Sequence, residues 1–320
     1  MIGKDNAISS HKRRAGIIAA VLAMVALAVF VMTHLGFAGK QPWDSHLVGS
    51  NFSFFAQGGQ GTFFAVDNGG NRMIAFSQDG QYRGDVGFGS ASVRSITPGE
   101  KGNVYVTRYR FSDVNLIEYA AIDEHSASGR RLRTVYSVTY EEGEMPEYTS
   151  GLLGLEAAGS LLYYVEKQGE GLYLFRLDAA AKGAQPELLK EYPFENAENR
   201  VLTAICDPVS QEVYFIDKLG GIFTAKEDGE HERMPYPDPP AEPAFSIPYA
   251  LCLQDGQLYI SDIGTRELYV VDQDGYALAA ALSNGMTVEE YPTTYYGVAA
   301  ARDGSVALSS RYDMLLWGRG

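Results

Sequence analysis

GTFFAVDNGGNRMIAFSQDGQYRGDVG, residues 61–87, reads as three short strands separated by two turns. A strand ends at Asp67, a Gly/Asn loop follows, and an apolar strand starts after Asn71-Arg72-Met73. Asp79-Gly80 then turns the chain into a last strand that ends at Gly87. The apolar runs are too short for helices and are rich in aromatic and β-branched side chains, which suits a pleated, packed strand. Asp-Gly supplies the positive φ values that a two-residue hairpin requires.

The same unit recurs along the chain. Its clearest strand is FFAVD at 63–67, then VYVTR at 104–108, LYYVE at 162–166, VYFID at 213–217, LYISD at 258–262 and VALSS at 306–310. The starts lie 41, 58, 51, 45 and 48 residues apart, within the range of about 40 to 50 that four-stranded propeller blades take. The fifth unit shows all four strands: Tyr249 to Leu253, Leu258 to Asp262, Glu267 to Asp272 and Tyr276 to Leu282, with Asp255-Gly256 and Asp274-Gly275 as turns. Nothing after residue 40 carries a long apolar stripe at helical spacing.

Residues 61–87 resemble the NHL repeat at Asp67, Asn71, Arg72, Met73, Asp79, Gly80 and Gly87. The fifth unit keeps Asp262, Arg266, Leu268 and Asp274-Gly275, whereas the second and third depart most, with insertions expected around Asp123 to Arg133 and Ala179 to Pro186. The resemblance implies an all-β, six-bladed β-propeller over residues 52–320. NHL-like propellers serve as binding platforms, lyases and sensor modules, so it does not imply one function. The sixth unit has three strands, and Ser45 to Gly49 is expected to latch the ring as its fourth; the alternative is that the chain is part of a longer membrane protein.

Ahead of the propeller, Ala15 to Met32 reads AGIIAAVLAMVALAVFVM, eighteen residues with no charge. Extended to Ala38, it matches the roughly 20 residues a transmembrane helix needs. His11-Lys12-Arg13-Arg14 precedes it and only Lys40 follows closely, which orients the N-terminus to the cytoplasm and the rest outward. The expected organisation is a basic tail at 1–14, a signal-anchor helix at 15–38, a linker with the latch strand at 39–51, and the propeller. A cleaved signal peptide ending near Gly36-Phe37-Ala38 is the rival, although the apolar run exceeds the about 7 to 15 residues of a signal core.

Of the net charge of −14, residues 1–39 contribute +3 (Lys4, Lys12, Arg13 and Arg14 against Asp5), which leaves −17 on the remainder. Such a field repels nucleic-acid phosphates and anionic lipid headgroups, and nucleic acid is excluded as a partner. With 2 Cys in 320 residues there is no disulfide framework. Cys206 and Cys252 fall on inner strands of adjacent blades, which do not pair, and read as small buried side chains.

Two clusters carry the functional expectations. Loops entering the inner strands supply Arg94, Tyr148, Asn199, Arg200, Tyr249, Tyr295 and Tyr296. This set of Tyr and Arg suits docking of an unidentified protein or small molecule at the channel mouth. The residues ending each second strand, Asp67, Arg108, Glu166, Asp217, Asp262 and Ser310, form a ring. Its carboxylates Asp67, Glu166, Asp217 and Asp262 either gather a Ca²⁺-type cation, the one cofactor this chain suggests, or bond the backbone of their own loops. His125 and His231 sit away from the mouth and read as structural or solvated. The expected function is a non-catalytic ligand- or protein-binding module outside the cytoplasm. The alternatives are a metal-assisted lactonase or lyase, and the ectodomain of a larger transporter or signalling protein.

Overall fold

The computed structural model describes residues 52–57, 62–67, 71–77, 82–146, 151–169, 171–194, 201–217, 219–234, 247–254, 256–265, 267–272, 278–282, 295–300, 306–310 and 314–317. The expected anchor, the latch segment Ser45 to Gly49, and Tyr148, Asn199 and Arg200 lie outside them.

Every regular element among these residues is a strand. The first blade comprises β1 (Phe52–Gln57), β2 (Thr62–Asp67), β3 (Arg72–Ser77) and β4 (Tyr82–Gly87). The second comprises β5 (Ser92–Pro98), β6 (Val104–Phe111), β7 (Ile117–His125) and β8 (Arg131–Thr139). The third holds β9 (Gly151–Ala158), β10 (Leu161–Gln168), β11 (Gly171–Asp178) and β12 (Glu187–Pro193). In the fourth the strands are β13 (Val201–Cys206), β14 (Val213–Asp217), β15 (Ile222–Thr224) and β16 (Glu232–Arg233). The fifth has β17 (Pro248–Gln254), β18 (Gln257–Asp262), β19 (Glu267–Asp272) and β20 (Leu278–Leu282). Each is an antiparallel meander in sequence order. Last come β21 (Tyr295–Ala300), β22 (Val306–Ser310) and β23 (Met314–Trp317), a sheet of three strands.

The fold is therefore a β-propeller with five four-stranded blades, where the sequence led us to expect six. The reason is local: the last sheet has no fourth strand among the described residues. The first strand of each sheet lies beside the first strand of the next, and β21 lies beside both β17 and β1.

Burial follows from this stacking. Each sheet is covered on both faces by its neighbours, so a middle strand such as Thr62–Asp67 is buried at every position and reads as a continuous apolar run. The core is a series of layers. Phe64, Val66 and Met73 pack on Val93, Val104 and Val106 between blades one and two. Leu153, Val165 and Leu172 pack on Val201, Val213 and Phe215 between three and four.

One expectation about blade two is corrected. Asp123 to Arg133 is no insertion; it is the end of β7, a tight turn and the start of β8, with Asp123 paired to Thr134 and Glu124 to Arg133. Charges stay on these strands because they pair across them. Asp123, fully buried, meets Arg108 at 2.7 Å and Arg131 at 3.1 Å, and Glu124 meets Arg133 at 2.7 Å. His125 is correspondingly a buried residue at the end of β7. Its Nδ1 lies 2.8 Å from the Gly129 carbonyl oxygen, and burial holds its pKa below the usual value. His231 is structural as well: its Nδ1 accepts from the Lys226 N–H at 3.1 Å, and Phe194 and Phe215 pack edge-on against its ring.

Candidate functional site at the ring end

Strand pairing places the predicted ring. Asp67 is opposite Phe52, Arg108 opposite Val93, Glu166 opposite Leu152, Asp217 opposite Val201, Asp262 opposite Pro248, and Ser310 opposite Tyr295. All six occupy one position of the blade, at the end where the inner strands begin. In blades one, four and five that position ends the second strand, whereas β6 and β10 continue three and two residues past Arg108 and Glu166.

Immediately after each of these pairs the register slips by one residue. The extra residues are Ser53, Arg94, Leu153, Leu202, Tyr249 and Tyr296, one β-bulge per inner strand. A bulge leaves its residue unpaired in the ladder, bends the strand and re-aims the side chain. Three of the predicted mouth residues, Arg94, Tyr249 and Tyr296, are thus equivalent bulge positions, and Tyr295 is the residue before one. Arg94 is half-buried and Tyr249 is 42% exposed.

The ring carboxylates serve their own loops or neighbours. Asp67 is buried and bonds the Arg72 guanidinium at 3.0 Å. One oxygen of Asp217 accepts the backbone N–H groups of Leu219 and Gly221 at 2.9 and 2.7 Å. One oxygen of Asp262 accepts three, from Ile247, Gly264 and Thr265, at 3.0, 2.8 and 3.0 Å. Glu166 differs: it is half-buried and accepts the Tyr140 hydroxyl at 3.3 Å. Burial raises its pKa against the opposing pull of the Gln168 and Tyr140 hydrogen bonds. Among the described residues no three His, Cys, Asp or Glu side chains come together to hold a metal ion.

Below the ring one carboxyl bridges two neighbouring inner strands. Glu156, on β9, accepts the Thr97 hydroxyl of β5 at 3.2 Å. Solvent reaches it only in part, and protein surrounds it. Burial, reinforced by Asp207 and opposed by Thr97, pushes its pKa up to about 8. A raised carboxyl pKa means that the folded state favours the neutral form. Stability from this site is therefore full below the ordinary value of 4.5 and lost as pH rises through about 8. The wild-type chain is expected to lose about 2 kcal/mol between about pH 5 and pH 9, less than the roughly 1.4 kcal/mol per pH unit of full burial because the side chain is partly open to solvent. Urea melts of Glu156→Gln should lack this loss; an identical pH profile for the two proteins would refute the placement.

Cys206 and Cys252 are both free and lie on β13 and β17 as expected. Cys206 packs towards blade three, whereas the Cys252 sulfur accepts the N–H of Ala300 on the following inner strand at 3.4 Å. Burial raises both thiols, Cys252 to about 12, so neither is a nucleophile near neutral pH.

Apart from Tyr249, sequence reasoning missed the apolar side chains at this end. Of the eight large apolar residues exposed among the described residues, five lie here: Val114, Leu202, Leu219, Ile247 and Tyr249. The signal was present in Asp217-Lys218-Leu219-Gly220-Gly221, where a leucine occupies a polar turn.

No family model matches the sequence, and no curated protein does. Solved structures do. A glucose dehydrogenase superposes with a TM-score of 0.56 at 12% identity, over 85% of this chain and 97% of that one. A nidogen/laminin complex gives 0.51 at 12% identity, over 78% and 84%. A streptogramin B lyase gives 0.50 at 15% identity, over 85% and 94%. At such identities the likeness shows one thing, the β-propeller fold.

Proposed function

We propose that the chain is a membrane-anchored, extracytoplasmic, six-bladed propeller that works as a non-catalytic binding module, with its ligand or protein partner held at the ring end. The observation that carries this reading is the repeated bulge, which brings Arg94, Tyr249 and Tyr296 to equivalent places at one end of the ring. Six blades are supported by β21 lying between β17 and β1 and by its bulge at the shared position; Ser45 to Gly49 would complete the sheet. Anchoring and export rest on the uncharged run at Ala15 to Met32 and the basic residues before it. The fold alone leaves the choice between binding and catalysis open, since a lyase and a dehydrogenase share it with a nidogen/laminin complex. The bond of Asp67 to Arg72, and those of Asp217 and Asp262 to the N–H groups of their loops, favour binding over metal-assisted chemistry.

The test uses the full chain in nanodiscs, screened by thermal shift against peptides and small molecules. A ligand that raises the melting temperature does so by binding the folded state. It should lose most of that shift when Arg94 and Tyr296 are both replaced by Ala, and keep it in Val209→Ala, at the opposite end of the propeller. Equal shifts in all three proteins would place binding elsewhere. Metal-dependent turnover that disappears with Asp217→Ala would overturn the non-catalytic reading.

A further inference from the structure

The exposed apolar residues of the ring end concentrate on two neighbouring blades. Leu202 and Tyr249, 40% and 42% exposed, are the bulge residues of β13 and β17, adjacent inner strands. Leu219, 92% exposed, sits in the β14–β15 turn of blade four, and Ile247, 49% exposed, directly precedes β17 in blade five. The equivalent bulge residue of blade three, Leu153, is buried in the core between blades. A patch of this kind on a soluble domain marks an interaction surface.

What distinguishes these side chains from scattered surface leucines is that their backbone is fixed. Leu219 lies in a turn closed by the Asp217 carboxylate, by Gly220 N–H to the Asp217 carbonyl at 3.2 Å, and by Asp217 N–H to the Gly221 carbonyl at 3.0 Å. Ile247 is pinned from both sides, its N–H donating to the Asp262 carboxylate and its carbonyl accepting Ile263 N–H at 2.9 Å. The ring aspartates of blades four and five therefore act as clamps for apolar anchors. Anchors held in their bound positions lose little conformational entropy on association.

The electrostatic setting selects the partner. The chain beyond residue 39 carries −17, and of its acidic side chains Asp113, Glu141, Glu142 and Glu144 stand exposed on the ring-end loops of blade two. An apolar patch within such a field favours a segment with large apolar side chains flanked by Lys or Arg, and repels an acidic one.

The geometry points to the patch of Leu202, Leu219, Ile247 and Tyr249 as a docking site for a protein segment with an apolar centre and cationic flanks. This rests on the reading of the ring end as the binding face and narrows it to one sector and one chemistry.

The probe is a dansyl-labelled peptide with Leu-Phe-Leu at its centre and two Lys on each side, titrated into the full chain in nanodiscs of zwitterionic lipid. The expected result is saturable binding that weakens at least tenfold with Leu219→Ser or Tyr249→Ser, and weakens in high salt. Val209→Ser serves as control, because Val209 is 90% exposed in the β13–β14 turn at the far end. A peptide with Glu flanks should bind at least tenfold more weakly than the Lys-flanked one. Equal loss in the Val209 variant, or equal binding of the Glu-flanked peptide, overturns the proposal. So does a dimer that Leu219→Ser converts to monomer, since the occupant would then be a second copy. If the patch variants leave binding intact while Arg94→Ala with Tyr296→Ala removes it, this inference fails and the ring-end binding reading stands; if neither pair matters, both fall.

Discussion

Gly154→Ala should lower stability by about 3 kcal/mol or more, at the upper end of what overpacking costs. A Cβ at position 154 would lie 1.9 Å from the carbonyl oxygen of Ala204 and 3.2 Å from the Cα of Ile205. Both belong to β13, the inner strand next to β9, so the obstacle is backbone and cannot rotate away. Inner strands crowd together around the axis, and here only hydrogen fits. For a domain of this size the expected fall in melting temperature is on the order of 10 °C, measured by calorimetry on the full chain. Gly87→Ala is the control, since a Cβ there meets nothing within 4 Å. A fall confined to that control, or absent from both variants, would mean that β9 and β13 do not approach each other as closely as described.

Asp262→Ala is the second large effect. It removes one buried carboxylate oxygen that three backbone N–H groups share. A hydrogen bond to a charged group is worth about 1.5 to 3 kcal/mol, and the three do not add; a loss of about 3 kcal/mol is expected. Asp262→Asn keeps an acceptor oxygen in place and should recover more than half of it. A metal-ligand role predicts the opposite pattern, with both variants equally impaired and the wild type stabilised by added Ca²⁺. Denaturant melts of the three proteins with and without Ca²⁺ separate the two.

Much of the fold was legible because propeller blades bury both faces. Thr62–Asp67 and Val213–Asp217 stand out as continuous apolar runs, and each ends at a residue with a defined structural duty. The ring positions were legible for the same reason. Pairing, however, is not written in composition. The bulge at Arg94, Leu153, Leu202 or Tyr249 has no shared residue type, because any side chain tolerates it and only the partner strand reveals the slip. The outer strands of blade two were misread as an insertion because Asp123, Glu124, Arg131 and Arg133 look like loop residues until their cross-strand pairing is known. Leu219 and Ile247 were overlooked because single exposed apolar residues are common, and only their grouping carries meaning.

The extra residues of β6 and β10 past the ring give this end of the molecule relief. At about 3.3 Å per residue, three residues extend β6 by roughly 10 Å and two extend β10 by roughly 7 Å past the ring, while β14 and β18 end at it. Among the described strands, β6 and β10 thus form a parapet along one side. If the ring end binds a large partner as proposed, that partner would meet β6 and β10 first and reach Leu219 by a slanted route from the side of blade four. Small solutes are indifferent to the step. Grafting two or three residues onto the end of β14 would level the step and should slow the association of large partners while leaving small ones untouched.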